Sequence, residues 1–191
     1  MKIGSAVVVE VEVVASVIVD DLMGGCVDDF SFDKRTQLPG SPLTLGSSGE
    51  VFGVAYSGGT WGQEIVFELT PSNGNWSLTT LHNFPDHDSD GRRPQGSVVF
   101  DSSGNLYSTA YSGGWSANCG NFGCGTLFEL QPSKGQWKET IVYTFVGGKN
   151  AGQPGSGLIL DSSNNLYGTT TSGGVNENCG YGCGTVFEVI P

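Results

Sequence analysis

Positive charge is scarce in this chain: Lys and Arg together number 8 against 19 Asp and Glu, a formal net charge of -11. Nucleic acids and anionic lipid surfaces are held mainly by Lys and Arg neutralising phosphates, and no basic cluster occurs here. The one Arg pair, Arg92-Arg93, sits beside Asp86, Asp88 and Asp90. Nucleic acid is therefore excluded as the main partner. Histidine is nearly missing, with His82 and His87 the only two. No Ser-His-Asp or Cys-His arrangement can be assembled from them. No stretch is long and apolar enough to span a membrane. Charged residues make up only 14% of the chain, and the helix formers Ala, Glu, Lys and Arg are sparse. What remains is 31 Gly among short runs rich in Thr, Val, Tyr and Phe. That composition predicts an all-β fold of many short strands joined by tight turns.

The chain repeats itself three times. Gly46-Ser47-Ser48-Gly49-Glu50-Val51-Phe52 returns as Asp101-Ser102-Ser103-Gly104-Asn105-Leu106-Tyr107 and again as Asp161-Ser162-Ser163-Asn164-Asn165-Leu166-Tyr167. A Gly-Gly pair follows each copy (Gly58-Gly59, Gly113-Gly114, Gly173-Gly174). An apolar-acidic run comes next: Val66-Phe67-Glu68-Leu69, Leu127-Phe128-Glu129-Leu130, Val186-Phe187-Glu188-Val189. Such a period marks a repeat architecture in which each unit buries its apolar face against a neighbour.

Each full unit holds four strand candidates, in the second unit Ser97–Asp101, Asn105–Tyr111, Gly125–Leu130 and Trp137–Phe145. The Asp-Ser-Ser-Gly between the first two reads as a tight turn capped by Asp. On the fourth strand, period-two alternation places Trp137, Ile141, Tyr143 and Phe145 on one face. His82 aligns with Tyr143 and reads as a strand residue. Glu68, Glu129 and Glu188 recur in register and read as structural. Four antiparallel strands per unit predict a β-propeller-like array of blades: an N-terminal strand region over 1–42, then repeats over 43–95, 96–154 and 155–191. The third unit lacks an outer strand. The N-terminal candidates Val7–Val19 and Val27–Phe32 are expected to complete a blade, to form a degenerate fourth one, or to pair with a second copy as a homo-oligomer.

Cys119 and Cys124 bracket Gly-Asn-Phe-Gly, Cys179 and Cys183 bracket Gly-Tyr-Gly, and Cys26 stands alone. Four thiolates at about 2.3 Å would make a zinc site. The pairs sit on equivalent loops of successive repeats, however, and packed sheets lie roughly 10 Å apart. Two small intra-loop disulfides, Cys119–Cys124 and Cys179–Cys183, are expected, with free thiols or metal as the alternatives. The disulfides imply an oxidising compartment.

The ordered set Asp-Ser-Ser-Gly-Asn-Leu-Tyr, Gly-Gly, Cys-Gly-x-x-Gly-Cys-Gly-Thr-x-Phe-Glu-Leu and Trp-x-x-x-x-x-Tyr-x-Phe resembles the GloVer-type tandem repeat over roughly residues 40 to 191. The resemblance implies an extracellular or bacterial cell-surface, propeller-like array with varied anchors and no established catalytic residues. The first forty residues depart from the pattern.

Functional candidates are sought where the copies differ. Asp86-His87-Asp88-Ser89-Asp90-Gly91 matches the opening of a calcium loop, with Asp86, Asp88 and Asp90 as oxygen ligands and Gly91 for the turn. It departs at the twelfth position, Ser97, and at the ninth, Pro94; the alternative is a solvated acidic turn. Trp61 and Trp115 follow the Gly-Gly pairs in loops, where they are candidates to stack on a sugar or anchor a partner. The alternative is that each ring covers the end of its own blade. The function these features favour is a non-enzymatic module presenting loops to a carbohydrate or protein ligand. An enzyme built on channel carboxylates, first Asp101 and Asp161, is the rival, and a strand-exchanging structural unit the third. A calcium site at Asp86, Asp88 and Asp90 should release or absorb heat on titration with calcium chloride. A flat isotherm at millimolar calcium leaves only the acidic turn.

Overall fold

Runs of β-branched and aromatic residues between glycine turns form thirteen strands among the described residues of the computed structural model, which are 41–56, 59, 63–72, 75–84, 91–175 and 182–191. These belong to one compact unit, Gln37–Pro191. The N-terminal strand candidates and Cys26 lie outside the described residues.

The strands form three antiparallel sheets in chain order. Sheet 1 runs β1 (Thr44–Leu45), β2 (Val51–Ala55), β3 (Glu64–Ser72), β4 (Asn75–Phe84). Sheet 2 holds β5 (Gly91–Pro94), β6 (Val99–Phe100), β7 (Leu106–Gly113), β8 (Thr126–Ser133) and β9 (Gln136–Thr144). Sheet 3 holds β10 (Gly152–Pro154), β11 (Ile159–Leu160), β12 (Leu166–Ser172) and β13 (Thr185–Val189). The four strands expected in the second unit are all present. The sequence did not reveal β5 and β10. Each pairs with the far half of the long strand that β6 or β11 pairs at its near half. The inner strand is thus broken in two. Within β5 and β10, just ahead of the break, Arg93 (φ 55) and Gln153 (φ 57), equivalent residues each followed by a proline, adopt the left-handed region. That conformation costs an L-residue about 1–2 kcal/mol, and its recurrence shows that the sheet imposes it.

The turns follow the sequence closely. Asp101 accepts from the Ser103 and Asn105 amides at 2.8 and 2.9 Å, and Asp161 accepts from Ser163 and Asn165 at the same distances. In the first unit Gly46 has no carboxylate to offer; Glu50 reaches back to the Ser48 amide instead, at 3.1 Å.

Sheet 2 lies between the other two. One apolar cluster joins Phe52, Val54, Val66, Leu81 and Phe84 of sheet 1 to Val98, Leu106, Phe128 and Leu130 of sheet 2. A second joins Tyr107, Leu127, Val142 and Phe145 to Leu158, Leu166, Phe187 and Val189 of the third unit. The two interfaces are built alike: Phe84 meets Phe128 edge-on at 5.2 Å, and Phe145 meets Phe187 at 5.0 Å. The Thr44 hydroxyl donates to the Val98 carbonyl at 2.5 Å, and Thr109 donates to Ser156 at 3.3 Å. The Arg93 amide also donates to the Glu64 carboxylate between sheets 1 and 2.

The regular alternation expected on the fourth strand does not hold. A β-bulge opposite Leu127/Phe128 skips Val142, and its counterpart opposite Val66/Phe67 skips Leu81. The extra residue re-aims the strand. Trp137 and Ile141 pack towards sheet 1, whereas Val142 and Phe145 pack towards sheet 3. Tyr143 is left 42% exposed. His82, opposite Val66 at the same bulge position, is the strand residue the sequence suggested. It stands 3.5 Å from Glu139 and stacks edge-on with Phe84.

Phe128 is fully buried at the first of these interfaces. Phe128→Ala is expected to lower the unfolding free energy by about 3–5 kcal/mol, read from the urea midpoint. The same change at the exposed Phe122 should move it by under about 0.5 kcal/mol.

Candidate functional site

Two kinds of polar feature survive the assembly of the sheets: the repeated Asp-Tyr-Glu constellations and one loop that differs between copies.

In the second unit the Tyr107 hydroxyl donates to Glu129 at 2.7 Å and lies 3.4 Å from the Asp101 carboxylate. In the third unit Tyr167 donates to Glu188 at 2.7 Å, with Asp161 at 3.2 Å. The side-chain amides of Asn105 and Asn165 hold the second Asp oxygens at 2.9 Å. Burial of Asp101 acts to raise its pKa, but bonds from the Asn105 backbone and side chain, the Ser103 amide and the Tyr107 hydroxyl outweigh it. The carboxyl ends below its ordinary value. Asp161 is lowered first by the Asn165 backbone bond. Burial, then the Glu129 bond, pushes the Tyr107 hydroxyl well up. The bond to Glu188 does the same for Tyr167, to about 12. These carboxylates accept bonds from their own turns and keep the neighbouring tyrosines protonated. That is turn capping. Glu68, in the unit that has Phe52 instead of Tyr, accepts from Thr70 at 3.1 Å.

The differing loop is Gly114–Cys124. Glycines at positive φ open and close it (Gly114 φ 62, Gly123 φ 66), and two 3-10 turns separated by a kink at Cys119 and Gly120 span Ala117–Phe122. Ser116 caps the first turn from an extended backbone. Cys119 and Cys124 form the expected disulfide. Closing so short a segment stabilises by about 2 kcal/mol. The Ser116 hydroxyl and the Asn118 amide both donate to the Val146 carbonyl, at 2.7 and 2.9 Å. A loop pinned at both ends and in the middle presents Trp115, 77% exposed, and Phe122, 66% exposed. Val146, which anchors it, is 40% exposed.

The Trp115 ring therefore does not cover the end of its own sheet. Phe122 escaped the sequence reading because a loop aromatic between two cysteines looks like filler. Val175, at the Trp115 position of the third unit, is 82% exposed, so this site is outward-facing in both units. Cys183 is disulfide-bonded; Cys179, its expected partner, lies outside the described residues. So do Trp61, Asp86, Asp88 and Asp90. Among the described residues no group of three His, Cys, Asp or Glu is placed to hold a metal ion, and no helix is long and apolar enough to cross a membrane.

The Gloeobacter/Verrucomicrobia repeat matches residues 29–191. No curated protein matches the chain.

The raised Tyr107 and Tyr167 link folding to pH on the alkaline side. A group whose folded pKa is raised contributes fully below its unfolded value, about 10, and that contribution is lost as pH rises through the folded pKa. The melting temperature should fall between about pH 10 and 12, and Tyr107→Phe with Tyr167→Phe should flatten that fall. The lowered Asp101 and Asp161 act oppositely: their contribution is present above about pH 4 and lost as pH drops below it. Asp101→Asn with Asp161→Asn should flatten the acid side. Thermal melts of the two double variants across pH check both signs.

Proposed function

The chain belongs to the Gloeobacter/Verrucomicrobia repeat family, and from that premise we propose a non-enzymatic extracellular or cell-surface module. In this reading the three sheets are successive blades of a propeller-like array, and the loops between their strands bind a carbohydrate or protein ligand. The observation that carries it is Trp115, 77% exposed on a loop tied down by a disulfide and by two bonds to the Val146 carbonyl.

An exposed indole on a rigid loop is unfavourable in water and favourable in a complex. Burying an aromatic side chain removes roughly 150–250 Å² from water, worth on the order of 4 kcal/mol at the usual transfer coefficient. Because the loop is already fixed, little ordering entropy opposes that gain. Phe122 and Val146 add apolar surface on the same loop and its anchor. The disulfide supports an oxidising compartment and hence the extracellular assignment. The capping role of Asp101 and Asp161 supports binding over hydrolysis.

Trp115→Ala with Phe122→Ala should abolish binding on a glycan array, or to a partner captured by the wild-type chain, while the melting temperature stays unchanged. Binding that persists in the double variant, or turnover of glycan or ester substrates by the wild-type chain, would refute the reading.

A further inference from the structure

Tyr56 and Tyr111 hold equivalent places, directly after Ala55 and Ala110, and both are half-buried. Beside each stands the residue that follows the proline of the next sheet's broken strand. Between sheets 1 and 2 that residue is Gln95, whose side-chain amide donates to the Tyr56 hydroxyl. Between sheets 2 and 3 it is Gly155, which has no side chain to offer Tyr111. Nothing local requires glycine at this position. Gly155 is exposed and lies outside the left-handed region that Gly104 and Gly173 adopt. A Cβ added to it would meet Thr171 Cγ2 at 3.3 Å, Gln95 Oε1 at 3.8 Å and the Tyr111 ring edge, Cδ2, at 3.9 Å. The nearest of these is the methyl of an exposed threonine, whose own hydroxyl donates to the Gln153 carbonyl at 3.0 Å. The missing side chain therefore leaves a space walled by a phenol, an amide oxygen and a methyl group.

We propose that this space is a subsite for an acetamido sugar, whose amide takes the place against Tyr111 that the Gln95 amide takes against Tyr56. The sugar's amide N–H donates to the Tyr111 hydroxyl, its acetyl methyl lies on the Thr171 methyl, and a ring hydroxyl donates to Gln95 Oε1. A few polar groups fixed around one apolar contact are what orient a small ligand. A plain hexose has no amide for Tyr111 and no methyl for Thr171. The primary amide of a glutamine side chain in a peptide has the amide but not the methyl. The proposal rests on the reading of the chain as a binding module but not on the Trp115 loop. Trp115→Ala with Phe122→Ala leaves this subsite intact, so the two readings fail separately.

Titration of the isotope-labelled chain with N-acetylglucosamine, followed by NMR, should shift the Gly155 and Thr171 amides saturably. Glucose at the same concentrations should shift neither. Gly155→Gln puts the chain's own amide into the space, as Gln95 does at the preceding interface, and should abolish the shifts without lowering the melting temperature. Tyr111→Phe removes the acceptor and should weaken binding about threefold to tenfold; should Gly155→Gln disturb folding, this variant decides alone. An equal response to glucose, full affinity in either variant, or no shift at the solubility limit of the sugar would overturn the proposal. So would tighter binding of a glutamine-containing peptide than of N-acetylglucosamine, because the occupant would then be a protein.

Discussion

The contact on which the rest of the architecture depends is a ring meeting a ring between sheets: Phe84 on Phe128, then Phe145 on Phe187, at nearly the same separation. Each pair joins the end of one sheet's outer strand to the third strand of the next. Centroids about 5 Å apart and edge-on give aromatic pairs their favoured geometry. Because both pairs involve equivalent residues, the offset between sheets 1 and 2 recurs between sheets 2 and 3. Strand β7 and the first half of β8 are then buried on both faces. That is why β7 reads Leu-Tyr-Ser-Thr-Ala with no polar face.

Double burial makes demands of its own. Ser108 and Thr109 are fully buried, and a buried hydroxyl without a partner costs about 1–3 kcal/mol. Both are satisfied by backbone carbonyls, Ser108 by Gly96 and Thr109 by Ser156 of the next unit. The break in the inner strand supplies the first of these acceptors. A continuous strand would pair Gly96 into the sheet ladder; the two-part strand leaves its carbonyl free to accept from Ser108.

This explains what could be read from the sequence and what could not. Turns were legible because Asp101, Asp161 and the glycines act within a few residues of themselves, as did the strands that follow them. The match between Tyr107 and Glu129 was visible only as recurrence, since their contact crosses two strands. The bulges were hidden: skipping Val142 or Leu81 needs no special residue, so simple alternation put Trp137 and Phe145 on one face. Strands β5 and β10 were hidden as well, because Gly-Arg-Arg-Pro and Gly-Gln-Pro carry turn residues and make strands only when a long neighbour offers its free edge. Trp115 was found as a loop residue, but its outward direction depends on Ser116 and Asn118 reaching Val146, a contact between distant residues.

The same division separates the positions that packing holds from the positions it leaves free. A substitution at Phe128 or Leu127 disturbs two sheets at once, so the strands have little freedom to acquire a ligand. The Gly114–Cys124 loop is closed by its own disulfide and held by the Val146 carbonyl, the Gln153 amide and the apolar cluster around Cys124. None of its anchors involves the outward atoms of Trp115 or Phe122. The side chain can change without cost to the fold, as Val175 does at the equivalent place in the third unit. A rigid frame of this kind fixes where a loop stands and leaves open which side chain it shows.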